Sequence, residues 1–156
     1  MRLGTRSLLY GAHQFIIHPI FLALAWWRLY GPPLDLRLWV AFVVHDWGYW
    51  GKSAMDDDEG QRHPELGGRI MAWLFGQEWG DFTRLHSRHY AKLESRDPSP
   101  LCAADKLVLI ITPRWIYLPM VKATGEIAEY LVLYANWLEE IVRLAPAAAK
   151  RLRGIA

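Results

Sequence analysis

The chain has little with which to brace itself covalently. Among 156 residues there is one cysteine, Cys102, so an internal disulfide is impossible and a disulfide-stapled secreted scaffold is excluded. Strand signals are scarce, which removes most sandwich and barrel folds. An excess of one charge is also missing: 18 Lys and Arg stand against 16 Asp and Glu, a net charge of +2, too little to argue for a nucleic-acid polymer or an anionic surface as partner. Long clean apolar runs are absent. The best two, residues 15–30 and 107–121, are broken by His18, Pro19 and Arg28 and by Pro113, Arg114 and Pro119, and a membrane span needs about 18 uninterrupted apolar residues. The opening Met1-Arg-Leu-Gly-Thr-Arg is not followed by an apolar core with a small-residue cleavage site, so the expected compartment is the cytoplasm.

What is present suffices for one domain over residues 1–156, with 53% hydrophobic and 22% charged residues. Helical periodicity recurs. Leu66, Ile70 and Leu74, with Met71 and Phe75, form one apolar stripe, and Ile127, Leu131, Tyr134, Leu138 and Ile141 form another; both predict helices facing a core. Gly31-Pro-Pro should end the first long helix, Asp35 should cap the next, and Gly76 should end the helix after His63. Ser99-Pro100 reads as an N-cap with proline at the first helical position, which puts Asp105 in the second helical turn. Residues 47–62, rich in Gly and Asp, read as one long loop. Thr112-Pro-Arg-Trp-Ile-Tyr-Leu-Pro119 reads as a non-helical excursion, because two prolines interrupt it. Its aromatics, like most of the nine tryptophans, are expected in the core or in a homodimer contact, with Arg114, Trp115 or Tyr117 also in reach of a bound substrate. The expected fold is an all-α compact helical bundle.

The chemistry concentrates in histidines and aspartates. His45-Asp46 closes the apolar run Leu38-Trp-Val-Ala-Phe-Val-Val. Neighbouring residues on a helix point about 100° apart, so one metal can be held by both only at a helix end. His18, His63, His86 and Asp105 are the other candidate ligands. Proline at 19 puts His18 at a bend or a fresh helix start, where it can turn inward, and this favours it over His13. His86 and His89 are three apart and can face one site, with His89 a second ligand or a substrate contact. Imidazole and carboxylate donors suit Fe, Mn, Co, Ni or Zn, with Mg also in reach of the carboxylates.

The order His18, His45-Asp46, His63, His86, Asp105 resembles the HD-domain superfamily of metal-dependent phosphohydrolases. Leu22-Ala23 after His18 is similar to that family's first helix, and His63-Pro-Glu-Leu-Gly-Gly to its H-x-x-x-G segment. The two middle histidines resemble the branch that holds two metal ions. Where many relatives read H-D-x-G-K, this chain has Tyr49, with Lys52 three residues on. The resemblance implies an HD-type helical fold, two divalent ions and hydrolysis of a small phosphorylated metabolite, with a nucleotide as the expected substrate.

Such chemistry needs a bridging carboxylate, for which Asp46 is placed, and cations for the phosphoryl oxygens. Lys52 and Arg88 are the preferred donors among Lys52, Arg62, Arg84, Arg88 and Lys106. Glu59, nearest to His63 in the acidic run 56–59, is the candidate general acid or base. Two alternatives stand beside hydrolysis. One is an HD-type mixed-valence di-iron oxygenase; the other is a non-catalytic metal- or nucleotide-binding regulatory module.

Overall fold

A computed structural model describes residues 1–55, 57–126 and 141–146. Among them every regular element is helical: α1 (Leu3–Tyr10), α2 (Ile17–Tyr30), α3 (Leu36–Val44), α4 (Pro64–Phe75), α5 (Gln77–Arg84), α6 (Arg88–Leu93), α7 (Pro100–Ile111) and α8 (Arg114–Thr124). Two single 3-10 turns, Trp47–Tyr49 and Gly60–Arg62, lie inside the segment expected as plain loop. No described helix is long and apolar enough to cross a membrane.

The helix ends follow from local chemistry. At the start of α2 the side chain of Gln14 accepts from the Ile16 and Ile17 N–H groups at 2.8 and 2.6 Å, and Pro19, third in the helix, costs no bond because first-turn N–H groups have no helical partner. His18 therefore sits at a fresh helix start. Gly31, with φ of 99°, ends α2, and Asp35 caps α3 by accepting from the Arg37 N–H at 2.9 Å. Gly76, at φ of 91°, ends α4 and begins α5 in one residue. Ser99 holds the N-cap position of α7 with Pro100 at the first turn, yet its hydroxyl makes no capping bond.

The main core lies between α2, α3 and α7, built from Leu22, Ala25, Leu29, Phe42, Leu101, Ala104 and Leu107, with Ile141 closing it. Ile141 is the described end of the second apolar stripe; Ile127, Leu131, Tyr134 and Leu138 lie outside the described residues.

Three expectations are corrected. The apolar stripe of α4 faces the core only in part: Met71 is fully buried and Ile70 packs against Ala41, Val44 and Met71, but Leu74 and Phe75 are exposed, and Pro64, Gly67 and Gly68 supply the rest of the buried face. Glycine has no side chain for apolar periodicity to register, and it lets backbones approach: a Cβ on Gly67 would lie 2.6 Å from the Val44 carbonyl, and one on Gly68 3.0 Å from Arg84 Cβ. Second, residues 114–124 are helical. Pro113 precedes the helix, and the carbonyl that Pro119 leaves without a helical partner belongs to Trp115, a residue on the solvent side of α8. Third, Trp115 is 79% exposed, and Trp27, Trp39, Trp47, Trp50 and Trp73 are exposed too; α8 packs through Tyr117 and Val121 against Ala12 and Leu109. We therefore expect Trp115→Ala to shift the unfolding free energy by no more than about 0.5 kcal/mol. A large fall in melting temperature would return Trp115 to the packing of the fold.

Candidate metal centre

His45 is the residue that ends α3, and Asp46 begins the turn that leaves it. The helix end is thus where both side chains can converge. His18 reaches the same point from the first turn of α2, Asp105 from the second turn of α7, His63 from just before α4, and His86 from the turn between α5 and α6. All six residues expected as ligands meet. They form two groups, His18, His45, Asp46 and Asp105 in one and Asp46, His63 and His86 in the other, with the ligand atoms of each group within 4.8 Å of one another.

Asp46 belongs to both groups and divides its oxygens between them. Its Oδ2 lies 3.0 Å from His45 Nε2 and 3.6 Å from His18 Nε2. Its Oδ1 lies 3.6 Å from His63 Nε2 and 3.5 Å from His86 Nε2. Asp105 Oδ1 completes the first group, 3.1 Å from His18 Nε2 and 3.7 Å from His45 Nε2.

Whether this set fits cations is decided by the ring nitrogens. Nδ1 of His45, His63 and His86 lies against the carbonyl three residues earlier, Phe42, Gly60 and Thr83, at 3.0, 2.9 and 2.6 Å. A carbonyl only accepts, so each Nδ1 must donate, and in the neutral ring Nε2 is then a bare lone pair. His63 Nε2 and His86 Nε2 stand 3.2 Å apart. Two facing lone pairs at that distance repel unless a cation lies between or beside them. Asp46 Oδ2, buried and without a well-directed hydrogen bond, makes the same demand. The residues fit divalent ions.

Without ions the charges balance through protons. Burial would raise the pKa of Asp46, but the adjacent His45 and His13 outweigh it and hold the carboxyl well below the usual carboxylate range. Asp105 is likewise lowered, with His18 and His45 overcoming burial. Burial opposes a charge on His45, yet Asp46 and Asp105 together push its pKa up to about 10. Burial, with His86 beside it, pushes His63 down to about 3. His45 thus carries a proton at neutral pH where the first ion would sit, and His63 carries none. A metal ion must expel the His45 proton, so below pH about 10 the first ion should bind about tenfold more tightly per unit rise in pH, through this group alone. Calorimetry in buffers of different ionisation enthalpy should show about one proton released from His45 per chain at pH 7. No release would show that His45 is already neutral in the metal-free protein; loss of the first ion in His45→Ala is what tests it as a ligand.

Comparison of the chain with protein-family models, with curated protein sequences and with solved structures returns no match.

The other expected site residues lie further out. Lys52 and Glu59 pair with each other at 3.5 Å. They line a surface cleft of about 630 Å³ together with Trp47, Trp50, Arg62 and Arg69. That cleft adjoins the second ligand group through Gly48, which lines it and packs on the His63 backbone. Arg88 is exposed on the opening turn of α6, and His89 beside it is exposed and outside both ligand groups. Arg84 is engaged by Asp81 and Glu94, and Arg62 by Glu65. On the other side, a crevice of about 40 Å³ reaches the first group between His13, His18, Asp105 and Tyr117. His13, set aside on sequence grounds, lies at the centre's edge with its Nε2 4.0 Å from Asp46 Oδ2. Ser7 and Glu126, which contact His13, had no visible signal, because spacing along a chain does not register pairs brought together only by the fold.

Proposed function

We propose that the protein is a metal-dependent phosphohydrolase of HD type acting on a small phosphorylated metabolite, with a nucleotide as the first candidate. The observation that carries this reading is Asp46, whose two carboxylate oxygens serve two adjacent groups of imidazole and carboxylate donors. A pair of divalent ions in such groups lowers the pKa of water and steadies the attacking and leaving oxygens of a phosphoryl group. The chain's own residues supply the rest. Asp46 and Asp105 bring negative charge that holds dications in place, and the backbone carbonyls of Phe42, Gly60 and Thr83 keep three imidazoles aimed inward.

Lys52, in the wall of the cleft, and Arg88, two residues beyond His86, are the cations we assign to the phosphoryl oxygens. Glu59, paired with Lys52, is the group we assign to proton transfer at the leaving oxygen. Metal analysis of the purified protein, with a phosphate-release screen over nucleotides and small phosphomonoesters under each of Mn, Co, Fe, Zn, Ni and Mg, tests the reading. Two ions per chain and release that falls in Arg88→Ala at unchanged metal content support it. No metal uptake under replete conditions overturns it.

One observation favours a second reading, a mixed-valence di-iron oxygenase. The crevice that reaches the first ligand group holds about 40 Å³, room for two or three water-sized groups at about 15 Å³ each, and that suits a small polar substrate better than a nucleotide. Iron-loaded protein would then absorb in the near ultraviolet and consume oxygen with its substrate, and a Mn- or Mg-loaded hydrolase would do neither. A loaded protein that is inert in both assays would fit a regulatory module.

A further inference from the structure

Ser7 of α1, His13 in the turn after it and Glu126 just beyond α8 form a hydrogen-bonded chain that ends at the metal centre. Glu126 is 2% exposed, and Ser7 is fully buried. The Ser7 hydroxyl donates to Glu126 Oε1 at 2.6 Å, and the Thr124 hydroxyl donates to Oε2. A hydroxyl has one proton to give. Ser7 has given its proton to Glu126, so at its 2.9 Å contact with His13 Nδ1 it must accept. That puts a proton on His13 Nδ1, and in the neutral ring Nε2 is then a lone pair. The fold makes room for this arrangement at Gly11, where a Cβ would lie 2.3 Å from Glu126 Oε2.

The bare Nε2 faces the centre without joining it. It stands 4.0 Å from Asp46 Oδ2, and His13 is outside both ligand groups. A lone pair and a carboxylate oxygen at that separation cannot bond to each other, but each can receive a hydrogen bond from one group placed between them. His13 also lines the 40 Å³ crevice with His18 and Asp105, where such a group would sit. The order of the chain, His then Ser then Glu, excludes Ser7 as a nucleophile: its proton is committed to the carboxylate and its oxygen is sealed from the crevice.

We propose that His13 is a further site residue, a hydrogen-bond acceptor for a water or substrate hydroxyl lodged in the crevice beside Asp46 and Asp105, and that Ser7 and Glu126 are positioning residues that impose its tautomer. The inference rests on the metal-centre reading above and adds to it a preference for a ligand that presents an O–H to His13.

The test uses the full ¹⁵N-labelled chain loaded with zinc, in which two-bond nitrogen–proton correlations read the tautomer of each histidine, and zinc is assayed in the same samples. The expected result is two zinc ions per chain, with His13 protonated on Nδ1 and bare on Nε2. Ser7→Ala and Glu126→Leu should each move His13 towards the Nε2–H form while leaving zinc content unchanged; Glu126→Leu removes the acceptor of the Ser7 proton at similar side-chain volume should Ser7→Ala fail to fold. In cobalt-loaded protein, His13→Gln should shift the visible absorption bands at constant cobalt content. A chain that takes up no zinc overturns the metal-centre reading and this one with it. A fully loaded chain with His13 protonated on Nε2, or with the same tautomer in wild type and both variants, or with unshifted cobalt bands in His13→Gln, overturns this proposal alone.

Discussion

Replacing Asp46 with alanine should empty both metal positions at once. No other side chain is shared by the two ligand groups. Its removal takes Oδ2 from beside His18 and His45 and Oδ1 from beside His63 and His86. It also deletes one of the two carboxylates that the described residues bring to these groups, leaving His63 and His86 to hold an ion with neutral nitrogens alone. Metal content should fall from two per chain towards zero. The stabilisation that bound metal confers, about 2.7 kcal/mol for one site at a metal concentration a hundred times Kd, should disappear from the melting curve. His63→Ala is the contrasting case: it strips one group only and should leave about one ion. Two ions retained in Asp46→Ala, measured by elemental analysis, would show that the carboxylate does not bridge.

The second large effect is expected from a residue with no side chain. A Cβ at Gly48 would stand 1.9 Å from the carbonyl oxygen of His63 and 2.7 Å from its Cα, both backbone atoms that no rotamer change can move. In Gly48→Ala the turn 47–49 and the segment carrying His63 must part, and His63 Nε2 must then leave its position 3.2 Å from His86 Nε2. Forcing atoms into a filled space of this kind costs about 3 kcal/mol. We expect the second ion to be lost, the first to remain, and the midpoint of chemical denaturation to fall. A variant that keeps two ions and an unchanged midpoint would show that the two strands of backbone can separate without consequence for the site.

The six candidate ligands were legible in the sequence through the order that resembles the HD-domain superfamily, and three of them also sit where a local rule applies. His18 is placed by Pro19, His45 by the end of an apolar helix, and Asp105 by the Ser99-Pro100 start. The parts that escaped depend on what local rules do not weigh. Gly67 and Gly68 carry no hydrophobicity, so α4 looked as though it buried Leu74 and Phe75 rather than its glycine face. Pro113 and Pro119 together looked like helix breakers, whereas Pro113 stands before α8 and Pro119 lies within it, four residues after the exposed Trp115. The bond between Ser7 and Glu126 spans 119 positions, and periodicity says nothing at that range.

The three imidazoles that donate Nδ1 to the carbonyl three residues earlier have a consequence for how the centre comes together. In each, a single turn of backbone both carries the ring and aims it, and stacking by Tyr49 on His63 and by His18 on His45 adds to the hold on two of them. An ion arriving at the folded protein therefore selects orientations already made, and its own work is to clasp turns that are far apart in the chain. Removing the ions with a chelator should leave every ring facing as before while loosening the turns from one another, so hydrogen exchange would quicken first across residues 57–63, which deliver His63, and only later in the α2, α3 and α7 core.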